Sequence, residues 1–230
     1  MLKFVWNLPN ILTLLRLAAV PFFIVLLFQP SFTARFTALA LFAFASITDL
    51  LDGYLARKWK QETEFGKFLD PLADKTLVLG AFITFIFLYD QIQLWMVLCI
   101  IGRDLLITLL RSLAIRRGTS LHTSMFGKLK TVFQMLAIIL ILFSFLMISY
   151  KERHFINQIY SDARIAGDEP WTVAFENLNK FLNGDYKSIF FAIASFMPYY
   201  LMLVTTFVTI ISGLRYIITN YRLFLPVRND

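Results

Sequence analysis

"DLLDGYLARKWKQETEFGKFLDPLADK", residues 49–75, sets four aspartates beside segments apolar enough to cross a membrane. Asp49, Asp52, Gly53 and Ala56 fall at i, i+3, i+4 and i+7, one stripe of a helix. Gly66, Asp70 and Asp74 fall at i, i+4 and i+8, one stripe of the next. An antiparallel turn through "RKWKQETE" is expected to turn the two stripes toward each other. Four carboxylates then converge near one membrane boundary, with no side chain on Gly53 or Gly66 to block approach.

The plain alternative is that these aspartates cap helices or pair with Arg57, Lys67 and Lys75. One capping aspartate would be ordinary, but four in phase repel one another unless something positive lies between them. Each costs about 2.5–3.5 kcal/mol at the centre of a span and less near the interface. One or two divalent cations offer the compensation, and oxygen-only carboxylate ligands favour Mg²⁺ or Mn²⁺ over zinc. Two such ions at a membrane edge suit phosphoryl chemistry, because they screen a diphosphate and stabilise a leaving oxygen. Arg57 is placed to grip a diphosphate with two donors, and Gly53 and Ala56 leave room for a flat ring or a sugar.

The rest of the chain agrees with a bilayer as solvent. Of 230 residues, 58% are hydrophobic and 16% charged, and the 25 phenylalanines outnumber the 22 lysines and arginines. Apolar stretches near 11–29, 33–51, 71–89, 94–110, 131–149 and 188–214 read as six spans. With the N-terminus inside, the basic residues gather on the cytoplasmic side, while the last outer loop balances five of them against six acids. The net charge of +7 therefore points to lipid headgroups and not to nucleic acid. Arg16 would interrupt a signal peptide, so 1–29 reads as a first span. Cys99 has no intramolecular partner, and His122 and His154 lie too far apart for a histidine metal site.

The opening "MLKFVWNLPN" suggests a short interfacial helix, with Pro9 early in the first span and Asn10 helping to cap it. The expectation is one all-α membrane domain over 1–230, with six transmembrane helices, both termini cytoplasmic and an extracytoplasmic loop insertion at 151–187. Within that insertion Trp171, Ala174, Phe175, Leu178, Phe181 and Leu182 keep helical spacing, bracketed by Pro170 and Gly184. This helix is expected to lie on the outer bilayer surface or against the bundle, without chemistry of its own.

At residues 49–74 the sequence resembles the CDP-alcohol phosphatidyltransferases, whose signature is D-x-x-D-G-x-x-A-R-x8-G-x-x-x-D-x-x-x-D; every position is filled at the family spacing. The resemblance implies that Asp49, Asp52 and Asp70 coordinate two metal ions, with Asp74 joining them or acting as general base. It implies that Gly53, Ala56, Arg57 and Gly66 hold the cytidine nucleotide and its diphosphate. The reaction so implied is attack by an alcohol on the phosphorus attached to diacylglycerol, with CMP leaving. A homodimer and a bacterial inner (plasma) membrane, with the site facing the cytoplasm, are implied in the same way.

The acceptor is read from other residues. Arg103 interrupts the fourth span, Arg111 lies eight residues on, and Lys128 and Lys130 open the fifth. Four cations beside the metal site suit an acceptor that carries phosphate, against the plain alternatives of positive-inside decoration and an Arg103–Asp104 contact. "GRDLLITLLRSLAIRRG", "FGKLKTVFQ" and "NLPNILTLLRLAAVPFF" are similar to bacterial members that use glycerol 3-phosphate. Asn10, Thr13 and Arg16 are placed to reach the nucleotide, with capping and snorkelling as alternatives. Two departures bear on the acceptor: bacterial members more often carry Arg-Glu where this chain has Arg103-Asp104, and 151–187 is longer than in compact members. Competing readings are phosphatidylglycerol, an inositol phosphate or serine as acceptor. A divalent-cation transporter is the reading from another class, but it needs acidic residues across spans five and six, which have none.

Overall fold

The computed structural model describes the backbone of residues 8–59, 64–116 and 125–220, and their side chains except at 8–10, 49–59, 64–74, 113, 115–116 and 125–128. Over these residues the chain is helical: α1 (Leu8–Phe28), α2 (Phe32–Trp59), α3 (Glu64–Leu88), α4 (Leu94–Arg116), α5 (Met125–Met147), α6 (Tyr150–Ala166), α7 (Pro170–Leu182) and α8 (Ile189–Thr219). Pro9 falls in the first turn of α1, where a missing N–H costs nothing. Residues 1–7, read above as an interfacial helix, lie outside the described residues.

Among the described residues three helical segments are long and apolar enough to cross a bilayer: Ile11–Phe28, Leu129–Met147 and Ile189–Thr219. Helices α2, α3 and α4 have 28, 25 and 23 residues. Phe32–Thr48 of α2 and Lys75–Leu88 of α3 are shorter apolar segments among the described residues.

Helix α1 packs on α2 and α3, α8 packs on α4, α5 and α7, and α2 and α3 each meet α5. Side-chain contacts fix which ends coincide. Arg35, early in α2, reaches the last carbonyls of α5, and Asn157 in α6 donates to the Leu88 carbonyl at the end of α3. Midway along α4, Arg103 and Asp104 meet late α8 and early α5. The chain thus runs up and down, and the aspartate segments of α2 and α3 share one end. Toward the other end, Phe82, Phe85, Tyr89 and Phe145 form a run of edge-on rings 5.8–6.5 Å apart. Bulky apolar side chains cover the outside instead: Phe22, Phe44 and Phe87 are 68%, 68% and 73% exposed. Such a surface suits lipid and not water.

The segment 151–187 departs from the expected loop with one helix, since α6 occupies Tyr150–Ala166. A capping box starts α6, with Ser149 and Glu152 exchanging side-chain and backbone hydrogen bonds, and Gly167 at φ 92° ends it. The buried face of α6 is Arg153, Ile156 and Tyr160, too polar a set to show as an apolar stripe. Helix α7 begins at Pro170 as expected, and Gly184, at φ 75°, follows its end. Its apolar residues divide between the two settings expected. Pro170, Val173 and Ala174 are buried, while Trp171, Phe175 and Leu182 are 56%, 51% and 69% exposed. Phe181 packs on Phe196 of α8, with ring centroids 5.4 Å apart.

Pro198, buried within α8, explains why these helices dock there. Its missing N–H leaves the carbonyl of Ala194 without the usual helical donor. Gln91, in the turn between α3 and α4, donates its Nε2 to that carbonyl at 3.0 Å. The next carbonyl, Ser195, accepts from Tyr160 Oη at 2.7 Å and Asn177 Nδ2 at 3.4 Å. Burial pushes the Tyr160 phenol up, so it stays a donor across the working pH range.

Gln91→Leu strips a buried carbonyl of its donor and is expected to cost about 1–3 kcal/mol of stability. Tyr160→Phe is expected to cost less, since Asn177 stays in place. Thermal unfolding of the detergent-solubilised variants checks both, and wild-type stability in Gln91→Leu would refute the pairing.

Candidate active site

Helix α2 stays helical through Trp59 and α3 is helical from Glu64. Residues 49, 52, 53 and 56 therefore occupy one stripe of α2, and 66, 70 and 74 one stripe of α3, at the same end of the bundle. The side chains of Asn10, Asp49, Asp52, Gly53, Ala56, Arg57, Gly66, Asp70, Asp74 and Lys128 lie outside the described residues.

The described side chains begin immediately beyond Asp74. Lys75 Nζ donates to Thr108 Oγ1 of α4, and Thr108 Oγ1 donates to the Asp104 carbonyl at 2.7 Å. The Asp104 carboxylate accepts from Lys130 Nζ of α5 at 2.5 and 2.6 Å, and from Arg103 Nη1 at 3.1 Å. Arg103 Nη2 then donates to Ser212 Oγ of α8 at 2.8 Å. One carboxylate thus binds α4 to α5, and its arginine neighbour binds α4 to α8. The side chains of Arg103, Asp104 and Lys130 are only 13%, 12% and 8% exposed, so each charge depends on the others.

Glycine at 213 permits this arrangement. A Cβ there would lie 2.9 Å from Arg103 Cγ, closer than real Cβ contacts come. Arg103 therefore lies flat against α8 because position 213 has no side chain.

Of the four cations expected to line an acceptor pocket, the structure brings Arg103 and Lys130 together and adds Lys75. Arg111 is exposed further along α4. Within this cluster Arg103 and Lys130 share the Asp104 carboxylate and Lys75 is linked to it through Thr108, so among the described residues it is net positive beside the aspartate helices. Thr13 and Arg16, one turn apart on α1, are 1% and 4% exposed. Asp104 serves both Arg103 and Lys130, so it is not spare for a metal. The four motif aspartates supply the hard oxygen donors that Mg²⁺ or Mn²⁺ takes, and their placement on two helices at one end fits such an ion.

Sequence reading missed the contribution of α8. Thr205, Thr206, Thr209, Ser212 and Tyr216 are all buried, at the three- and four-residue spacing of one face. Hydroxyls and a glycine at that spacing in "TTFVTIISGLRY" were the available signal. Among the described residues Thr209 Oγ1 and Tyr216 Oη, with Gln134 Nε2 of α5, have no hydrogen-bond partner.

The family model described as CDP-alcohol phosphatidyltransferase matches residues 6–161. A protein of Mycobacterium tuberculosis described as a probable phosphatidylglycerophosphate synthase is 49% identical over 135 residues, which are 57% of this chain and 64% of that protein. The match thus stops short of two thirds of the mycobacterial relative. A CDP-diacylglycerol–glycerol-3-phosphate 3-phosphatidyltransferase of Pectobacterium atrosepticum is 39% identical over 142 residues, covering 60% of this chain and 77% of the relative. The Escherichia coli protein of the same description is 38% identical over 139 residues, covering 58% and 75%.

Asp104→Asn removes the shared charge and leaves two cations buried, with an expected loss of about 3–5 kcal/mol. Lys130→Met alone leaves Arg103 to satisfy Asp104 and is expected to cost less. A double-mutant cycle on unfolding midpoints would read the coupling, and additive effects of the two substitutions would remove Asp104 as the common counter-ion.

Proposed function

The chain belongs to the CDP-alcohol phosphatidyltransferase family, and from that premise we propose that it transfers a phosphatidyl group from CDP-diacylglycerol to glycerol 3-phosphate, giving phosphatidylglycerophosphate and CMP. The observation that carries the choice of acceptor is the net-positive cluster of Lys75, Arg103 and Lys130, one residue beyond Asp74. A second phosphate beside the diphosphate needs such a cluster, and an uncharged acceptor does not. The two enterobacterial relatives are described by the same reaction.

In this reading Asp49, Asp52, Asp70 and Asp74 hold two Mg²⁺ or Mn²⁺ ions. When bound, these ions neutralise the diphosphate and favour departure of the CMP oxygen. Gly53, Ala56 and Gly66 leave space for the nucleotide, Arg57 grips its diphosphate, and Asn10 and Thr13 reach it from α1. Arg103, Arg111, Lys128 and Lys130 orient the acceptor by its phosphate. Asp74 takes the proton from the attacking hydroxyl as the new P–O bond forms at the phosphorus bearing diacylglycerol. The bond from that phosphorus to CMP breaks, and CMP leaves with the electron pair. A carboxylate suffices as base because the position of the hydroxyl, more than pKa, decides the transfer.

The chain is placed in a bacterial inner membrane as a six-span homodimer with both termini and the site cytoplasmic. The basic residues at the aspartate end support that orientation.

CMP release by purified protein with CDP-diacylglycerol and Mg²⁺ tests the reading, with glycerol 3-phosphate, phosphatidylglycerol, inositol phosphate and serine offered separately. Release is expected with glycerol 3-phosphate alone, lost on chelation and reduced at least 100-fold in Asp74→Asn. Arg103→Met is expected to raise KM for glycerol 3-phosphate more than it lowers kcat. Turnover with serine but not glycerol 3-phosphate would overturn the acceptor and leave the aspartate site intact.

A further inference from the structure

At the end of the bundle remote from the aspartates, two arginines are buried without an acid. Arg35, in the first turn of α2, is 3% exposed, and Arg153, in the first turn of α6, is 8% exposed. Arg35 Nη1 donates to the carbonyls of Phe145 at 3.2 Å and Ile148 at 2.7 Å, which cap the end of α5. Among the described residues its Nε and Nη2 have no partner, nor does Nη1 of Arg153. Both guanidinium groups lie over the ring of Phe145, at 4.5 and 4.8 Å from its centroid. Tyr89 lies edge-on to the same ring at 5.8 Å.

The Glu152 carboxylate accepts the Ser149 backbone N–H at 2.7 Å. Among the described residues neither Arg35 nor Arg153 has an ion pair. The other end of the bundle shows the contrast, because there the chain supplies Asp104 to its buried cations. Ring faces and two carbonyls soften the charge of the far pair but leave it uncompensated.

The surroundings indicate what supplies the anion. Phe32 and Phe36 flank Arg35 on α2 and are 61% and 55% exposed, and Phe155 on α6 is 55% exposed. These apolar faces belong against acyl chains, which sets Arg35 at the depth of the phosphates above them. Tyr150, 49% exposed, stacks on Arg153 with its ring centroid 4.9 Å from the guanidinium carbon, so the pair lies one side chain below the surface. Guanidinium forks match phosphate oxygens two at a time.

We propose that Arg35 and Arg153 bind the phosphate of an anionic phospholipid in the leaflet opposite the aspartate stripes. The recognised chemistry is a tetrahedral oxyanion, and free phosphate is its other source. The site reads a lipid already in the membrane, so it needs neither turnover nor nucleotide.

The test uses the full chain, purified in neutral detergent and stripped of lipid. Unfolding midpoints and native mass spectra are recorded with phosphatidylglycerol, phosphatidylcholine or inorganic phosphate, for the wild type, Arg153→Gln and Arg153→Lys. Phosphatidylglycerol is expected to raise the wild-type midpoint by several degrees, and phosphatidylcholine by less. Affinity should fall about tenfold or more in Arg153→Gln and by a smaller factor in Arg153→Lys, which keeps the charge but loses the fork. If Arg153→Gln fails to fold, the lysine variant alone carries the comparison. Inorganic phosphate giving the whole shift, again lost on substitution, would keep the site and assign it to the free ion. Equal lipid affinity in the wild type and both variants, or no shift with any of the three ligands, would overturn the proposal.

Discussion

The Asp104 carboxylate, shared between Arg103 and Lys130, is the interaction on which the arrangement of α4, α5 and α8 depends. A bundle closed to water cannot solvate any of the three charges, so each is tolerable only where the others are. Meeting that condition brings α5 up to α4 through Lys130 and α8 up to α4 through Arg103 and Ser212. Gly213 makes the second approach sterically possible. The functional consequence is that this end of the bundle has a fixed positive face one residue from the aspartate stripe of α3.

Polar groups in this bundle collect toward its two ends. At one end the chain provides both signs, and the groups are tied into one network. At the other end the Ala194 carbonyl freed by Pro198 is filled by Gln91 and the neighbouring Ser195 carbonyl by Tyr160 and Asn177, while two arginines keep donors to spare. The ends therefore differ in kind: one is complete within its own sequence on α4, α5 and α8, and the other looks outward.

Much of this was legible in the residues. The stripes at 49–56 and 66–74 depend only on helical spacing, and the helical backbone through both segments preserves it. The six long helices follow from six apolar runs. Helix α6 was not visible as periodicity, because Arg153, Ile156 and Tyr160 make a face that is buried but not greasy. Its capping box, Ser149 to Glu152, was the signal to use. On α7 the apolar residues were legible, but spacing alone could not say which of them, Ala174 among them, would be buried and which, like Trp171, left exposed. The hydroxyl face of α8 escaped because serine and threonine in an apolar run look neutral until a charge is set beside them. Nor could spacing show that Asp104 would serve two cations, since that depends on three helices meeting.

The two carbonyls before Pro198 also bear on the order in which the molecule is made. Gln91, Tyr160 and Asn177, which donate to Ala194 and Ser195, all come earlier in the chain than the carbonyls themselves. As synthesis proceeds, the turn after α3 and the pair α6 and α7 are complete before α8 leaves the ribosome. The last helix is received by a socket that already exists, and its exposed carbonyls need never wait in the lipid for partners. Had the proline been in an early helix with its donors late, the same bonds would have left unsatisfied backbone in the bilayer throughout synthesis.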